Sequence, residues 1–179
     1  MKELLAIVDE NNNLTTEVAE REDVHIKGLW HREVKIWVVN ELGEILVQKG
    51  SPNKKQNPNK WGICAGHIDA GESVETTIIR ELKEEIGLNT VIDDLEFMFI
   101  SKEQNNFPNG TKNNIFFYAY FIKTDFKIED YKIQTEELTA LKYISFEELK
   151  KVFKTQSPEY SFSNLNCANQ VLEELEKRI

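Results

Sequence analysis

The stretch GHIDAGESVETTIIRELKEEIGL (residues 66–88) decides the fold, because it specifies an amphipathic helix between two glycine-bearing loops. Ser73 is suited to cap the N-terminus of the helix, and Gly87 is suited to end it. The apolar residues recur at helical spacing and form one face, which comprises Val74, Ile78, Ile79, Leu82 and Ile86. We therefore predict a helix that packs this face on a core.

Acids crowd the neighbouring face of this helix. Glu81, Glu84 and Glu85 share an arc of about 100°, and like charges at these spacings repel by about 0.2–0.5 kcal/mol per exposed pair. Arg80 can pair with Glu84 four residues later, or it can reach back to an acid before the helix. A solvated face with ion pairs is the ordinary interpretation of such a pattern. A metal site is the alternative, and the surrounding residues favour it.

Length and composition favour a single globular domain over residues 1–179. The chain has 179 residues, 40% of them hydrophobic, which suffices for a core. Its net charge of −9 argues against a nucleic-acid polymer or an anionic membrane as a partner. The opening MKELLAIVDENNN has the pattern of neither a signal peptide nor a membrane span. We therefore expect a cytoplasmic protein in which Cys64 and Cys167 are reduced.

The rest of the chain alternates strand and helix patterns without a repeat. The predicted strands lie within 3–21, 31–49, 95–101 and 115–122. The remaining predicted helices lie at 146–153 and 168–179. A hairpin turn is expected at Leu42-Gly43, and a loop is expected over 105–114. Hairpins and a crossover together predict an α+β sandwich with a mixed sheet.

Residues around the helix match the pattern G-x5-E-x7-R-E-U-x-E-E-x-G-U, in which U is a bulky aliphatic residue. The matching residues are Gly66, Glu72, Arg80, Glu81, Leu82, Glu84, Glu85, Gly87 and Leu88. This pattern is the Nudix box, and the sequence therefore resembles the Nudix hydrolases. The resemblance implies an α/β/α sandwich with a catalytic loop–helix–loop, a divalent metal, and cleavage of a diphosphate linked to another moiety X.

The chemistry of a diphosphate suits a cluster of carboxylates that holds metal. Carboxylates are hard oxygen ligands for Mg²⁺ or Mn²⁺, and such metals neutralise phosphate charge and activate water. By the resemblance, Glu81, Glu84 and Glu85 are the inner metal ligands. Glu72 supports the metal cluster or a bridging water, and the backbone carbonyl of Ala65 is a further ligand.

The resemblance gives positioning roles to other residues of the box. Arg80 is expected to orient a glutamate of the cluster. Gly66 and Gly71 are expected to let the loop turn back toward the metals, and Gly87 to end the helix.

Residues 31–87 also resemble a subgroup close to type I isopentenyl-diphosphate isomerase, which shares this fold. The shared residues are His31, Trp37, Lys54, Lys55, Pro58, Trp61, Gly66 and His67. The isomerase needs a cysteine immediately before the Gly-His pair, where this chain has Ala65, and Cys64 lies one residue early. It also uses a Glu-x-Glu pattern where this chain offers Asn113 and Asn114. Since the isomerases have a degenerate box and this one is intact, hydrolysis is favoured, and Cys64 is expected to be a small buried residue.

The three histidines of the chain raise the question of a second metal site. His31 and His67 match two positions that bind metal in the isomerases, and His25 lies near a third. The carboxylates of the isomerase site are missing, which favours histidines that form hydrogen bonds in loops or at strand ends. Both interpretations stay open at this point.

Residues outside the box are candidates for contact with the substrate. A basic loop aligns with positions that face diphosphate in the isomerases, and its lysines are Lys49, Lys54 and Lys55. Such a loop can also be merely solvated. Trp61 could touch the substrate, and Glu137, with Glu136 in reserve, is a candidate for a further metal ligand or general base.

Three functions are compatible with these features. The first is metal-dependent hydrolysis of a pyrophosphate bond, the second is isomerisation of isopentenyl diphosphate, and the third is a non-catalytic Nudix-fold binding module. The complete set of acids favours the first, because a module without activity has no need of them. The expected partner is a small-molecule diphosphate, with nucleoside triphosphates, nucleotide sugars and prenyl diphosphates as candidate classes. The protein is expected to be a monomer or a homodimer.

Overall fold

A seven-stranded β-sheet forms the centre of the structure, a computed structural model that describes residues 3–54, 56–107, 110–162 and 164–179. The strands are β1 (Leu4–Val8), β2 (Leu14–Glu20), β3 (Trp30–Asn40), β4 (Ile45–Gly50), β5 (Trp61–Gly62), β6 (Cys64–His67), β7 (Leu95–Asn106), β8 (Lys112–Thr124) and β9 (Leu138–Ile144). The order in the large sheet is β5-β4-β3-β8-β7, while β6 pairs with β3 and β9 pairs with β4. β1 and β2 form a two-stranded sheet of their own.

The sheet mixes parallel and antiparallel pairs. β3 runs parallel to β8, from Trp30 opposite Asn114 to Asn40 opposite Thr124. Antiparallel pairing joins β3 to β4 and β6, and β7 to β8. The predicted hairpin of β3 and β4 turns at Gly43, whose φ of 75° is left-handed and favours glycine. The predicted mixed sheet is therefore confirmed.

Helices flank this sheet, and the longest is the one predicted from the sequence. The helices are α1 (Arg21–Lys27), α2 (Val74–Ile86), α3 (Phe146–Thr155) and α4 (Ala168–Glu176), with 3₁₀ turns at Ile92–Asp94 and Ile128–Asp130. At the start of α2 the Ser73 side chain accepts a hydrogen bond from the Thr76 N–H at 3.1 Å. At its end Gly87 is left-handed, and its N–H caps the last turn. Both predicted ends of α2 are confirmed.

The helices cover both faces of the sheet. Alternate residues of β3 point to opposite faces, so Ile36 packs in one core with Leu82 of α2. Trp37 packs in a second core with Leu149 of α3 and Val171 of α4. These five side chains are fully buried. The arrangement is the α/β/α sandwich expected from the resemblance, with α2 on one side and α3 and α4 on the other.

Two features differ from the sequence-based prediction. The sequence gives no sign of α1, because its seven residues are too few for an apolar helical repeat and Glu20 caps it without a side-chain hydrogen bond. β7 and β8 are longer than predicted, since they stay paired as far as Asn106 opposite Lys112. The loop expected over 105–114 shortens accordingly. Among the described residues, no helix has the length and apolar character needed to cross a membrane.

Candidate active site

The carboxylate of Glu81 lies directly beneath β6. A Cβ atom at Gly66 would overlap the Glu81 side chain, so only glycine permits this approach. The apolar face of α2 is buried through Ile78 and Leu82, which holds the helix against the sheet at this point. The loop between β6 and α2 turns at Gly71, whose φ is 90°. The expected roles of Gly66 and Gly71 agree with this geometry.

Arg80 connects the acids that the box brings together. Its guanidinium donates to Glu72 at 3.0 and 3.1 Å and to Glu81 at 2.7 Å, and its Nη1 lies 3.4 Å from Glu84. Arg80 thus makes both ion pairs that the sequence offered as alternatives. Its hydrogen bonds hold the pKa of Glu72 below the usual range. We name Glu72, Glu81, Glu84 and Glu85 the acid cluster.

Two members of the acid cluster lie where the protein disfavours their ionised form. Burial raises the pKa of Glu81 to about 8. The charge of Glu85 also raises this pKa, whereas the Arg80 guanidinium lowers it. Burial also raises the pKa of Glu85, whose side chain accepts a hydrogen bond from Gln48 Nε2 at 2.8 Å. Glu85 is only 4% exposed, so it lies inside the protein rather than on a solvated face. A bound cation would stabilise both carboxylates in their ionised form.

Ala65 and Cys64 lie beside the inner end of the acid cluster. The Ala65 N–H is 3.4 Å from Glu85 Oε2. Cys64 is 3% exposed, as predicted. Burial and the charge of Glu85 raise the pKa of the Cys64 thiol well above its usual range. A nucleophilic cysteine needs a lowered pKa, so this environment opposes catalysis by Cys64.

Two residues outside the box reach the acid cluster. Lys54 Nζ forms an ion pair with Glu137 Oε2 at 3.1 Å, and both charges act on the pKa of Glu85. The segment that carries Glu137 is attached to α2, because the Gln134 N–H donates to the Glu85 carbonyl and the Glu137 N–H donates to the Gln134 carbonyl. The structure therefore brings Lys54 and Glu137 to the cluster. Lys55 lies outside the described residues.

An aromatic wall with two lysines lies on the other face of the sheet, the one that carries α3 and α4, because Trp61 packs against that core and Lys49 alternates with Gln48, which bonds Glu85 of α2. Lys49 Nζ lies 5.6 Å from the ring centroid of Trp61, and Lys142 Nζ lies 4.7 Å from it. Lys142 also donates to the Tyr160 hydroxyl at 2.9 Å. Sequence reasoning missed Lys142 and Tyr160, because only the pairing of β9 with β4 and the packing of the C-terminal segment place them beside Trp61. No local spacing signals this contact.

His25, His31 and His67, which we name the histidine cluster, come together from α1, β3 and β6. All three side chains are buried, and their ring centroids lie 5.1–5.3 Å apart. Burial lowers the pKa of His31 to about 4 and also lowers that of His25. Two carboxylates lie beside the cluster, at positions other than those used in the isomerases. Glu3 and Glu33 each have an oxygen within 3.5 Å of a ring nitrogen of His67. No local sequence pattern indicated these two acids.

Similarity to known proteins agrees with this geometry. The family model of the NUDIX domain matches residues 29–164. An uncharacterized Nudix hydrolase of Clostridium acetobutylicum is 34% identical over 154 residues, which cover 84% of this chain and 73% of that protein. Isopentenyl-diphosphate Delta-isomerase 2 of Photorhabdus laumondii is 30% identical over 138 residues, which cover 74% of this chain and 77% of that protein. Superposition on the crystal structure of DR0079 from Deinococcus radiodurans gives a TM-score of 0.71 at 19% sequence identity, and the match covers 98% of each chain. At this identity the match shows similarity of fold alone.

Proposed function

Because this chain belongs to the Nudix family, we propose that it is a metal-dependent hydrolase for the pyrophosphate bond of a nucleoside diphosphate linked to X or another organic diphosphate. We infer that residues 1–179 act as one Nudix domain. The observation that carries the proposal is the acid cluster, in which Glu85 is buried, Glu81 is partly buried beside it, and burial disfavours the ionised form of both. Such an arrangement costs stability in the absence of a cation, and it gives a cation a ready site.

The donors of the acid cluster fit Mg²⁺ or Mn²⁺. Glu81, Glu84 and Glu85 offer hard carboxylate oxygens, and we assign Glu72 and the Ala65 carbonyl supporting places beside them. Bound there, the metal would neutralise phosphate charge and make water a better nucleophile at neutral pH. Arg80 is a positioning residue in this proposal, since it already holds Glu72 and Glu81 by hydrogen bonds of 3.1 Å or less.

Lysines of the basic loop and Trp61 are our candidates for contact with the substrate. We assign Lys54 and Lys49 to its phosphates, and the resemblance extends this role to Lys55. Trp61 offers an aromatic surface that is held between Lys49 and Lys142. Glu137 is our candidate for the general base, because its ion pair with Lys54 keeps it near the metal-binding acids.

Isomerisation of isopentenyl diphosphate is the second candidate function. The assembly of the histidine cluster favours it, because two of these positions bind metal in the isomerases. The state of Cys64 opposes it, because the thiol is buried against Glu85 and its pKa is raised. Ala65 stands where the catalytic cysteine of the isomerases is found.

A panel of diphosphates tests the proposal. Wild-type protein and Glu84→Gln are incubated with nucleotide sugars, nucleoside triphosphates and isopentenyl diphosphate, each with Mg²⁺ or Mn²⁺. We expect the wild type to release phosphate or a nucleotide from at least one substrate and Glu84→Gln to release far less. Glu75→Gln is the matched control, since Glu75 is exposed on the first turn of the same helix. Turnover that is unchanged in Glu84→Gln would contradict the proposal.

A further inference from the structure

Gln48 is a buried polar residue between the large sheet and α2, beside the acid cluster. Its side chain points to the face of the sheet that carries α2, and only 6% of the residue is exposed. The neighbouring strands fix its backbone, because Gln48 is the partner of Gly62 in β5 and of Leu141 in β9. The side chain therefore projects from a rigid support.

The amide nitrogen of Gln48 holds one oxygen of Glu85. Nε2 donates to Glu85 Oε2 at 2.8 Å and lies 3.4 Å from the carbonyl oxygen of Ile63. Both neighbours are acceptors, which assigns this end of the amide as its NH₂ group. The Ala65 N–H approaches the same carboxylate oxygen at 3.4 Å. These nitrogen donors thus converge on Oε2 of Glu85, and its Oε1 stays available to a cation.

The amide oxygen of Gln48 is buried and has no hydrogen-bond partner in the described part of the chain. Buried polar atoms are satisfied almost without exception in native proteins. The oxygen and nitrogen of one amide are about 2.2 Å apart, so Oε1 of Gln48 lies within about 5 Å of Glu85 Oε2. An acceptor in this position calls for a small donor at the acid cluster, such as a bound water.

A purely structural role for the glutamine is the competing explanation, in which it only joins β4 to α2. Apolar side chains make that contact elsewhere in the same core, for example Leu46 and Leu82. An apolar residue at position 48 would serve the same purpose. It would leave Glu85 with the Ala65 N–H at 3.4 Å and the Cys64 thiol as donors. A structural role also leaves the unpartnered amide oxygen unexplained.

We propose that Gln48 is a positioning residue for the metal site of the acid cluster, an inference that rests on the function proposed above. Its Nε2 holds Glu85 Oε2 and thereby turns the other carboxylate oxygen toward the cation. Its own Oε1 accepts a hydrogen bond from a water at the inner end of the cluster. Partners that bond to a metal ligand in this way orient it, and their loss commonly costs about 10–100-fold in metal affinity.

Binding of Mn²⁺ by the full chain tests this role without any turnover. The wild type, Gln48→Met and Glu84→Gln are titrated with Mn²⁺, and the free ion is read from its electron paramagnetic resonance signal. Methionine is unbranched like glutamine, but it cannot donate to Glu85. We expect the Kd for Mn²⁺ to rise about 10–100-fold in Gln48→Met. Thr124→Val should bind as the wild type does, because Thr124 is also buried but bonds to the Phe126 N–H.

Thermal melting of the metal-free proteins separates positioning from a structural role. A structural role alone would lower the Tm of Gln48→Met and leave its Kd for Mn²⁺ within about twofold of the wild type. That result, with affinity still lost in Glu84→Gln, would overturn this inference and leave the proposed function standing. Gln48→Leu, which suits the apolar core, replaces Gln48→Met if the latter does not fold. A wild type that binds no Mn²⁺, or Glu84→Gln that binds it equally well, would overturn the proposed function itself.

Discussion

The acid cluster and the histidine cluster lie on opposite faces of the same short strand, β6. Gly66 opens the face toward α2, where the carboxylates gather around Arg80. His67 is the next residue and points the other way, into the histidine cluster, whose Nε2 atoms have no hydrogen-bond partner among the described residues. The main chain of β6 separates the two groups. One strand thus separates two groups of different chemistry, carboxylates around an arginine on one face and imidazoles on the other.

The largest expected effect comes from the acid cluster. Glu84→Gln and Glu85→Gln should each lower turnover by at least about 10²-fold, on the scale of about 2.7 kcal/mol of transition-state stabilisation. The fold should survive, because glutamine keeps the volume of Glu85 and its hydrogen bond with Gln48. Steady-state kinetics with the best substrate of the panel gives the ratio. Near-normal rates in both variants would remove the metal site from α2.

Gly66→Ala tests whether the approach of Glu81 to β6 matters. The added Cβ would overlap the Glu81 side chain, and a displacement of about 1 Å in a catalytic group can cost about 10²-fold in rate. We expect a fall in turnover of up to that size. The fold should be unaffected, as circular dichroism would report. Turnover equal to that of the wild type in a folded variant would show that this approach does not matter.

Lys54 should affect substrate binding more than chemistry. In our proposal it contacts charge that the substrate carries already in its ground state, so Lys54→Ala should raise KM and leave kcat nearly unchanged. A charge-assisted hydrogen bond is worth about 1.5–3 kcal/mol, which corresponds to a rise in KM of roughly ten- to a hundredfold. Lys49→Ala and Lys55→Ala are compared with it, and Lys123→Ala on β8 is an exposed control. If no loop variant shifts KM by more than about twofold, the loop is merely solvated.

The smallest effect is expected at Cys64. Cys64→Ala should keep most of the hydrolytic activity, and thiol-blocking reagents should change the rate little, because the thiol is buried and its pKa is raised. Circular dichroism checks that the variant is folded. Complete loss of activity in a folded variant would instead support an isomerase-like role for this cysteine.

Much of the acid cluster could be predicted from the sequence, because its members lie within fourteen residues of one loop and one helix. Helical periodicity placed Glu81, Glu84 and Glu85 on one arc, and the spacing rules placed the caps. The depth of Glu85 could not be predicted, since it depends on the contact of α2 with Gln48 of β4. Periodicity describes the direction of a side chain but not what covers it.

The histidine cluster shows what local patterns miss. His25, His31 and His67 span 43 positions of the chain and meet only when α1, β3 and β6 are assembled. Glu33 joins them through the register of β3 against β6. α1, which carries His25, has no apolar repeat that reveals it as a helix. The contacts of Lys142 and Tyr160 with Trp61 arise in the same way, from pairing between distant segments.

Phosphorus NMR of the reaction products in ¹⁸O-labelled water tests the central claim most directly. The wild-type protein, with Mg²⁺, is incubated with the diphosphate panel, including isopentenyl diphosphate. Our account predicts that at least one diphosphate is split, that one product carries ¹⁸O because water attacked its phosphorus, and that Glu84→Gln abolishes this signal. Diphosphates that all stay intact, or isopentenyl diphosphate that rearranges with its phosphorus–oxygen bonds unbroken, would contradict it.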